Sequence, residues 1–183
     1  DKQRGETAKE EIIQSTGNPN ISLFLCDFAD LSDIRRFVKL YQDKYDRLDV
    51  LINNAATIPQ TRLETKDGFE MQFGVNHLAP FLLTNLLLEQ IGKSNISRIV
   101  NVSSVGHRFG KIYFDDLQFT KKTYNKLVVY TQSKLANILF TYELADKLKN
   151  TTITVNCLDP GHVKSDIGVY KDGGLSQFVF RTL

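Results

Sequence analysis

The chain has 183 residues, a length that fits one domain better than two. Hydrophobic residues make up 42% of it and charged residues 24%, ordinary proportions for a globular protein that argue against disorder over most of the length. The net charge is only +2, and the 23 basic residues are scattered rather than gathered into a stripe, so nucleic acid is disfavoured as a partner.

The pattern of apolar residues predicts helices and strands in alternation. In chain order the predicted elements are a helix over 6–15, a strand over 21–26, a helix over 32–45, a strand over 50–52, a helix over 69–88, a strand over 98–102, a helix over 130–148 and a strand over 153–158. Apolar strands separated by helices indicate a parallel sheet with helices on both faces, the doubly wound, Rossmann-like α/β class.

Polar or small residues follow each predicted strand: Asp27, Asn53-Asn54, Ser103-Ser104 and Asp159-Pro160-Gly161. Ligands of such sheets bind beyond the carboxyl ends of the strands, so we expect a site there, although turns alone favour some of these residue types. The two cysteines, Cys26 and Cys157, each end an apolar run. We expect them to be free thiols in a reducing compartment, and we expect no metal site.

Tyr130 and Lys134 lie four residues apart on a predicted helix, so their side chains share one face. A free tyrosine titrates near ~10 and is a poor base at neutral pH, but an adjacent ammonium favours the phenolate. The pair is therefore competent for proton transfer. A solvated helix face explains the same spacing when it is taken alone.

Two further residues suggest chemistry. Ser104 lies just after the predicted strand 98–102, which places its hydroxyl at the edge of the sheet. There it either hydrogen-bonds a substrate oxygen or caps the next helix. Asn76 lies in the middle of the predicted helix 69–88, where asparagine is a poor choice. It indicates a local break in the helix or a bound water, and nearby Pro80 predicts a kink.

Together these segments resemble the short-chain dehydrogenase/reductase family. The matching motifs, in chain order, are CDFADL at 26–31, LINNAA at 51–56, Asn76, Ser104, the YxxxK pattern at 130–134 and DPGHV at 159–163. The stretches NHLAPFLLTNLLL, RIVNVSSVGH and SKLANILFTYELA are similar to the retinol dehydrogenase branch of that family. The resemblance implies a catalytic tetrad of Asn76, Ser104, Tyr130 and Lys134.

The resemblance also implies an NAD(P)-dependent oxidoreductase, with NADP expected and NAD as the alternative. The implied substrate is a small apolar alcohol, aldehyde or ketone, retinoid- or steroid-like. The implied cofactor contacts are Asp27, Phe28, Asn53, Ala55, Tyr130, Lys134, Pro160, Gly161, Val163 and Ser165. The resemblance implies a location in the cytosol or at a membrane surface that faces the cytosol, with the endoplasmic reticulum as one option. Homodimerisation is left open.

The chain departs from the family at its start, because no T-G-x-x-x-G-x-G loop is present. We therefore expect a single reductase domain over 1–183 that is incomplete at both ends, and that is unstable or inactive alone. Smaller departures are Ala56 in place of glycine and Pro80 in place of histidine. Two alternatives stay open: a non-catalytic, reductase-like scaffold, and a nucleotide-sugar epimerase or dehydratase, which shares the YxxxK pair.

Overall fold

The structure is a computed structural model that describes residues 1–161. Its regular elements are α1 (Lys2–Thr16), α2 (Leu31–Gln42), β1 (Val50–Asn53), the short α3 (Met71–Phe73), a π-helical turn (Gly74–Leu78), α4 (Ala79–Gly92), β2 (Ser97–Val102), two 3₁₀ turns (Val105–Phe109 and Phe114–Asp116), α5 (Lys126–Lys147) and β3 (Ile153–Leu158). None of the helices in this range is long and apolar enough to cross a membrane.

The three strands form one parallel sheet in the order β1-β2-β3. Asn53 at the end of β1 pairs with Asn101, and Val102 at the end of β2 pairs with Leu158. All three carboxyl ends therefore lie at one edge, as the alternating pattern predicts, and the α/β class is confirmed. The site residues that follow these strands are brought together by this register.

The main core lies between one face of the sheet and helices α2, α4 and α5. Its fully buried members include Ile34 of α2, Leu87 and Ile91 of α4, and Ile99 of β2. On the opposite face of β1, by contrast, Val50 and Ile52 are 44% and 60% exposed. Within residues 1–161, α2, α4 and α5 thus cover this one face of the sheet, and α5 lies against β2 and β3.

The strand predicted over 21–26 is not formed, which corrects that expectation. A strand needs a neighbour for its backbone N–H and C=O groups, and no described strand pairs with this segment. Its apolar side chains still pack: Phe24 meets Phe37 edge-on with ring centroids 5.7 Å apart, and Cys26 lies against the core. The apolar run thus marked partial packing against α2 and the core, with Leu25 still 44% exposed, and not strand pairing.

The helix predicted over 69–88 begins at Met71 and is interrupted by the π-helical turn Gly74–Leu78. Glu70 caps its start, since the carboxylate accepts hydrogen bonds from the backbone N–H groups of Gln72 and Phe73. The break that Asn76 and Pro80 indicated is thus confirmed, with Asn76 inside the π turn and Pro80 in the first turn of α4.

Candidate active site

The carboxyl edge of the sheet is where α5 brings Tyr130 and Lys134 to the end of β2. The Lys134 ammonium donates a hydrogen bond to the Val102 carbonyl at 2.9 Å, and the Ser103 hydroxyl donates one to the Lys134 carbonyl at 2.9 Å. Lys134 Nζ lies 5.6 Å from the centre of the Tyr130 ring. The helix is thereby tied to the strand at the point where chemistry was expected.

Lys134 is a buried cation. It is only 2% exposed, and burial lowers its pKa from 10.5 to about 8. An ammonium has three donors, and the bond to Val102 is the one that the described residues satisfy. A lysine held in this way has donors left for a ligand and is deprotonated more readily than an ordinary lysine.

The pKa of Tyr130 is raised above its ordinary value. Burial of the phenol is the main cause; the Ser104 hydroxyl, which hydrogen-bonds it, lowers the pKa, and Asp159 raises it further. The lowered pKa that we expected from the neighbouring Lys134 is not found. Lys134 is itself desolvated and its ammonium is directed at the Val102 carbonyl, so the phenol stays protonated at neutral pH.

Ser104 serves as a cap and also lies beside Tyr130. Its hydroxyl accepts a hydrogen bond from the Gly106 backbone N–H at 3.2 Å and starts the 3₁₀ turn Val105–Phe109. A Cβ placed on Gly106 would lie 3.5 Å from Ser104 Oγ and 3.8 Å from Tyr130 Cε1, so the two side chains border one small space. The capping interpretation of Ser104 is therefore confirmed, and its bonding to a substrate oxygen stays a prediction.

The Asn76 side chain connects the π turn to two other parts of the site. Its Oδ1 accepts a hydrogen bond from the Thr57 N–H at 2.8 Å, and its Nδ2 donates to the Thr57 carbonyl at 3.1 Å and to Ser133 Oγ at 3.2 Å. Asn76 is 1% exposed. Its amide thus fixes the loop after β1 and the residue before Lys134.

The predicted cofactor contacts at β1 differ in exposure. The Asn53 side chain points into the core, where its Nδ2 donates to Thr84 Oγ1 at 3.0 Å and to Asn101 Oδ1 at 2.8 Å. Its Nδ2 thus joins β1 to β2 and to α4, while the buried Asn53 Oδ1 has no hydrogen-bond partner among the described residues. Ala55, two residues on, is exposed.

The other predicted contacts follow the segment 21–26 and the strand β3. Asp27 is exposed, its Oδ1 accepting from the Ala29 N–H at 2.9 Å, and Phe28 packs against the core. Pro160 and Gly161 are exposed after β3, and Gly161 has φ of +70°, a conformation that favours glycine. Val163 and Ser165 lie outside the described residues.

The predicted contacts at the sheet edge are not arranged as a metal site. The buried Lys134 cation and the small exposed residues Ala55, Pro160 and Gly161 lie at or just after the carboxyl ends of the strands, the region where ligands of parallel sheets bind. Within residues 1–161, no three His, Cys, Asp or Glu side chains are grouped so as to hold a metal ion.

Comparison with known proteins decides the family. The sequence model of a protein family described as short chain dehydrogenase matches residues 1–173. The chain belongs to the short-chain dehydrogenase family. Human retinol dehydrogenase 13 is 45% identical over 168 residues, which are 92% of this chain and 51% of that protein. The chain thus spans about half the length of this relative.

Solved structures share the fold of this short-chain dehydrogenase. An uncharacterised protein from Mycobacterium paratuberculosis is 37% identical, with a TM-score of 0.77, over 92% of this chain and 59% of that one. A metagenomic short-chain oxidoreductase, solved in complex with NADP, has a TM-score of 0.68 at 22% identity, over 89% of this chain and 68% of that one. At 22% identity, the similarity to the metagenomic oxidoreductase shows a shared fold and nothing further.

Several residues that shape this short-chain dehydrogenase site were missed from the sequence. Thr57, Ser133 and Asn137 all bond to Asn76, and Glu70, which is 0% exposed, caps the segment that carries it. One signal was available for Asn137: a polar residue at a buried position of an amphipathic helix needs a partner. Nothing local in the sequence identified that partner as the π turn.

Proposed function

We propose that this chain is the catalytic part of an oxidoreductase that transfers hydride between a nicotinamide cofactor and an apolar alcohol or carbonyl compound. The observation that carries the proposal is the meeting of the Tyr130 phenol, the Ser104 hydroxyl and the buried Lys134 ammonium at the carboxyl edge of the sheet. An acid, an oxygen-binding donor and a cation are the groups that such a reaction requires of the protein.

The cofactor, when bound, supplies the centre that gives or takes the hydride. Lys134, Ala55, Asp27, Pro160 and Gly161 are the described residues that would hold it. We propose NADP, with NAD as the alternative. The NADP bound to the metagenomic relative supports this choice, although only the fold is shared with that protein.

Tyr130 would exchange a proton with the substrate oxygen. Its raised pKa means that the phenol carries its proton at neutral pH, which suits the acid needed to reduce a carbonyl. In the reverse direction the phenolate must form, and this needs positive charge near the ring. Lys134 supplies that charge only while it is protonated, and its pKa of about 8 makes this pH-dependent.

Ser104 would orient the substrate oxygen, and Asn76 would hold the site together. The Ser104 hydroxyl accepts from the Gly106 N–H and hydrogen-bonds the Tyr130 phenol, so a substrate oxygen placed beside that phenol would also be within reach of the Ser104 proton. The Asn76 amide is occupied by Thr57 and Ser133. The water that we expected at Asn76 is therefore not assigned to its side chain in this proposal.

An apolar substrate is supported by the surface next to Ser104. Val105 is 47% exposed and Phe109 is 83% exposed on the turn that Ser104 caps. The similarity to retinol dehydrogenase 13 supports a retinoid- or steroid-like compound. Two half-buried free thiols, Cys26 and Cys157, support a reducing, cytosol-facing location. Homodimerisation and membrane association stay predictions.

The test is turnover of the full natural protein with retinaldehyde and NADPH after Tyr130→Phe. We expect cofactor binding and the unfolding temperature to be retained and turnover to fall by at least about 10²-fold, since general acid catalysis is worth that much. Tyr142→Phe is the matched control, because Tyr142 lies on the same helix and is 70% exposed. A Tyr130→Phe variant with wild-type turnover would refute the proposal; a wild type that binds NADPH but turns over nothing would favour the scaffold.

A further inference from the structure

Pro80 removes a hydrogen bond from the residue that shapes the site. In an α-helix the carbonyl of Asn76 would accept from the backbone N–H four residues on, at position 80, and proline has no N–H. The π-helical turn Gly74–Leu78 accompanies this gap. Because Asn76 is 1% exposed, water is a poor substitute, and an unpaired buried carbonyl would be costly.

A side chain of α5 fills the gap. Asn137 Nδ2 donates a hydrogen bond to the Asn76 carbonyl at 2.9 Å, across 61 positions of sequence, and Asn137 is itself 5% exposed. Asn137 lies three residues after Lys134, on the same helix. Asn76 is thus joined to α5 at two residues, to Ser133 by its side chain and to Asn137 by its backbone carbonyl.

The amide of Asn137 is itself held in one orientation. Since its Nδ2 is the donor to Asn76, its Oδ1 must be the acceptor from His77 Nδ1, which lies 3.0 Å away. His77 therefore carries its proton on Nδ1. The imidazole lies against the rings of Phe73 and Phe140, with centroids 5.2 and 6.3 Å away. The two hydrogen bonds of the Asn137 amide, to Asn76 and to His77, are therefore compatible with only one orientation of that amide.

We propose that Asn137 is a positioning residue for Asn76, needed because Pro80 cannot donate to the Asn76 carbonyl. This inference rests on the proposed function, in which Asn76 holds Thr57 and Ser133 around the site. Asn137 touches neither Tyr130 nor Ser104 in any described hydrogen bond, so it reaches the site only through the π turn, at Asn76 and its neighbour His77. Its loss would let the π turn move, and with it the loop after β1 and the residue that precedes Lys134.

The test is a cycle of Asn137→Leu and Pro80→Ala in the full natural protein. Asn137→Leu keeps the size of the side chain and removes the donor. We expect kcat to fall about tenfold to a hundredfold with little change in KM, because small displacements at a site have costs of that order. Pro80→Ala returns a backbone N–H, so the double variant should recover most of kcat and of the unfolding temperature.

Thr141→Val is the matched control. Thr141 is one turn further along α5 and 3% exposed, and its hydroxyl bonds the Asn137 carbonyl and the Asn101 amide, not Asn76. It should lower the unfolding temperature, leave kcat near wild type, and not be rescued by Pro80→Ala. The ¹⁵N resonances of His77 should report a proton on Nδ1 in the wild type and a changed tautomer in Asn137→Leu.

The outcomes separate this inference from the proposed function. Wild-type kcat in a folded Asn137→Leu variant, or no rescue by Pro80→Ala in either kcat or unfolding temperature, overturns the role of Asn137. If Asn137→Leu alone does not fold, recovery of folding in the double variant with Pro80→Ala and the His77 tautomer of the wild type still decide, and a wild-type His77 without a proton on Nδ1 overturns the proposal. Retained turnover in Tyr130→Phe refutes the proposed function instead, and leaves the rescue of the unfolding temperature as the test of the Pro80–Asn137 relationship.

Discussion

The Lys134 ammonium donates to the Val102 carbonyl, 2.9 Å away, from a position where the side chain is 2% exposed. Burying a cation with one neutral partner is unfavourable, and the protein retains it at the end of the central strand of the sheet. Such a cost is typical of functional sites, where stability and activity compete. The pH dependence of the free energy of unfolding measures the cost of burying the Lys134 ammonium.

Stability should rise with pH between about 8 and 10.5 because of Lys134. Its folded pKa of about 8 lies below the ordinary 10.5, so the unfolded chain binds more protons in this window. This contribution is complete above about 10.5, is lost as the pH falls to about 8, and is on the order of 3 kcal/mol. Urea unfolding of the wild type and of Lys134→Met across this pH range measures the contribution as the difference between their free energies of unfolding. Parallel curves for the two proteins would show that the lysine is not desolvated.

Asn76→Leu should destabilise the fold as well as stop turnover. The substitution leaves the N–H and carbonyl of Thr57 without the bonds that the Asn76 amide makes at 2.8 and 3.1 Å. We expect a loss of about 2–4 kcal/mol in the free energy of unfolding, measured by denaturant titration. Asn85→Leu is the control, since Asn85 is an exposed asparagine on α4 and should change stability by less than about 1 kcal/mol. Equal losses in the two variants would contradict a specific role for Asn76.

The sequence predicted the parts of the site that lie on regular elements. The three paired strands were found within a residue or two, because an apolar run between turns marks a buried strand. Asn76 and Pro80 correctly indicated a broken helix. The strand over 21–26 was wrong, since pairing depends on a neighbour that a local pattern does not contain.

The remaining contacts depend on residues far apart in the chain. Asn137 meets Asn76 across 61 positions, and Asn53 meets Asn101 across 48. Neither pair has a local signature, because each polar side chain could equally have faced solvent. The raised pKa of Tyr130 was also missed, since the degree of burial of the phenol is set by tertiary packing and not by the spacing to Lys134.

Gly110→Ala should loosen the turn that follows Ser104. A Cβ there would lie 2.5 Å from the Thr131 carbonyl oxygen and 3.0 Å from Leu135 Cβ, so the segment would have to move away from α5. We expect a loss of about 1–3 kcal/mol in unfolding free energy and a raised KM for the substrate, since the exposed Phe109 is displaced. Gly92→Ala is the control, because nothing lies within 4 Å of its added Cβ. A Gly110→Ala variant with wild-type stability would mean that the turn does not pack on α5.

Ser104→Ala and Ser104→Thr should separate the two roles of the Ser104 hydroxyl. Alanine removes the cap on Gly106, at a cost of about 1 kcal/mol, and removes the bond that lowers the pKa of Tyr130. Turnover should therefore fall by much more than the loss of stability implies. The rise of alcohol oxidation with pH should also move to higher pH, because the phenolate that acts as the base becomes harder to form. Threonine keeps the hydroxyl and should preserve the cap, so its pH profile should match wild type. If Ser104→Ala lowers stability and leaves the profile in place, Ser104 is a cap alone.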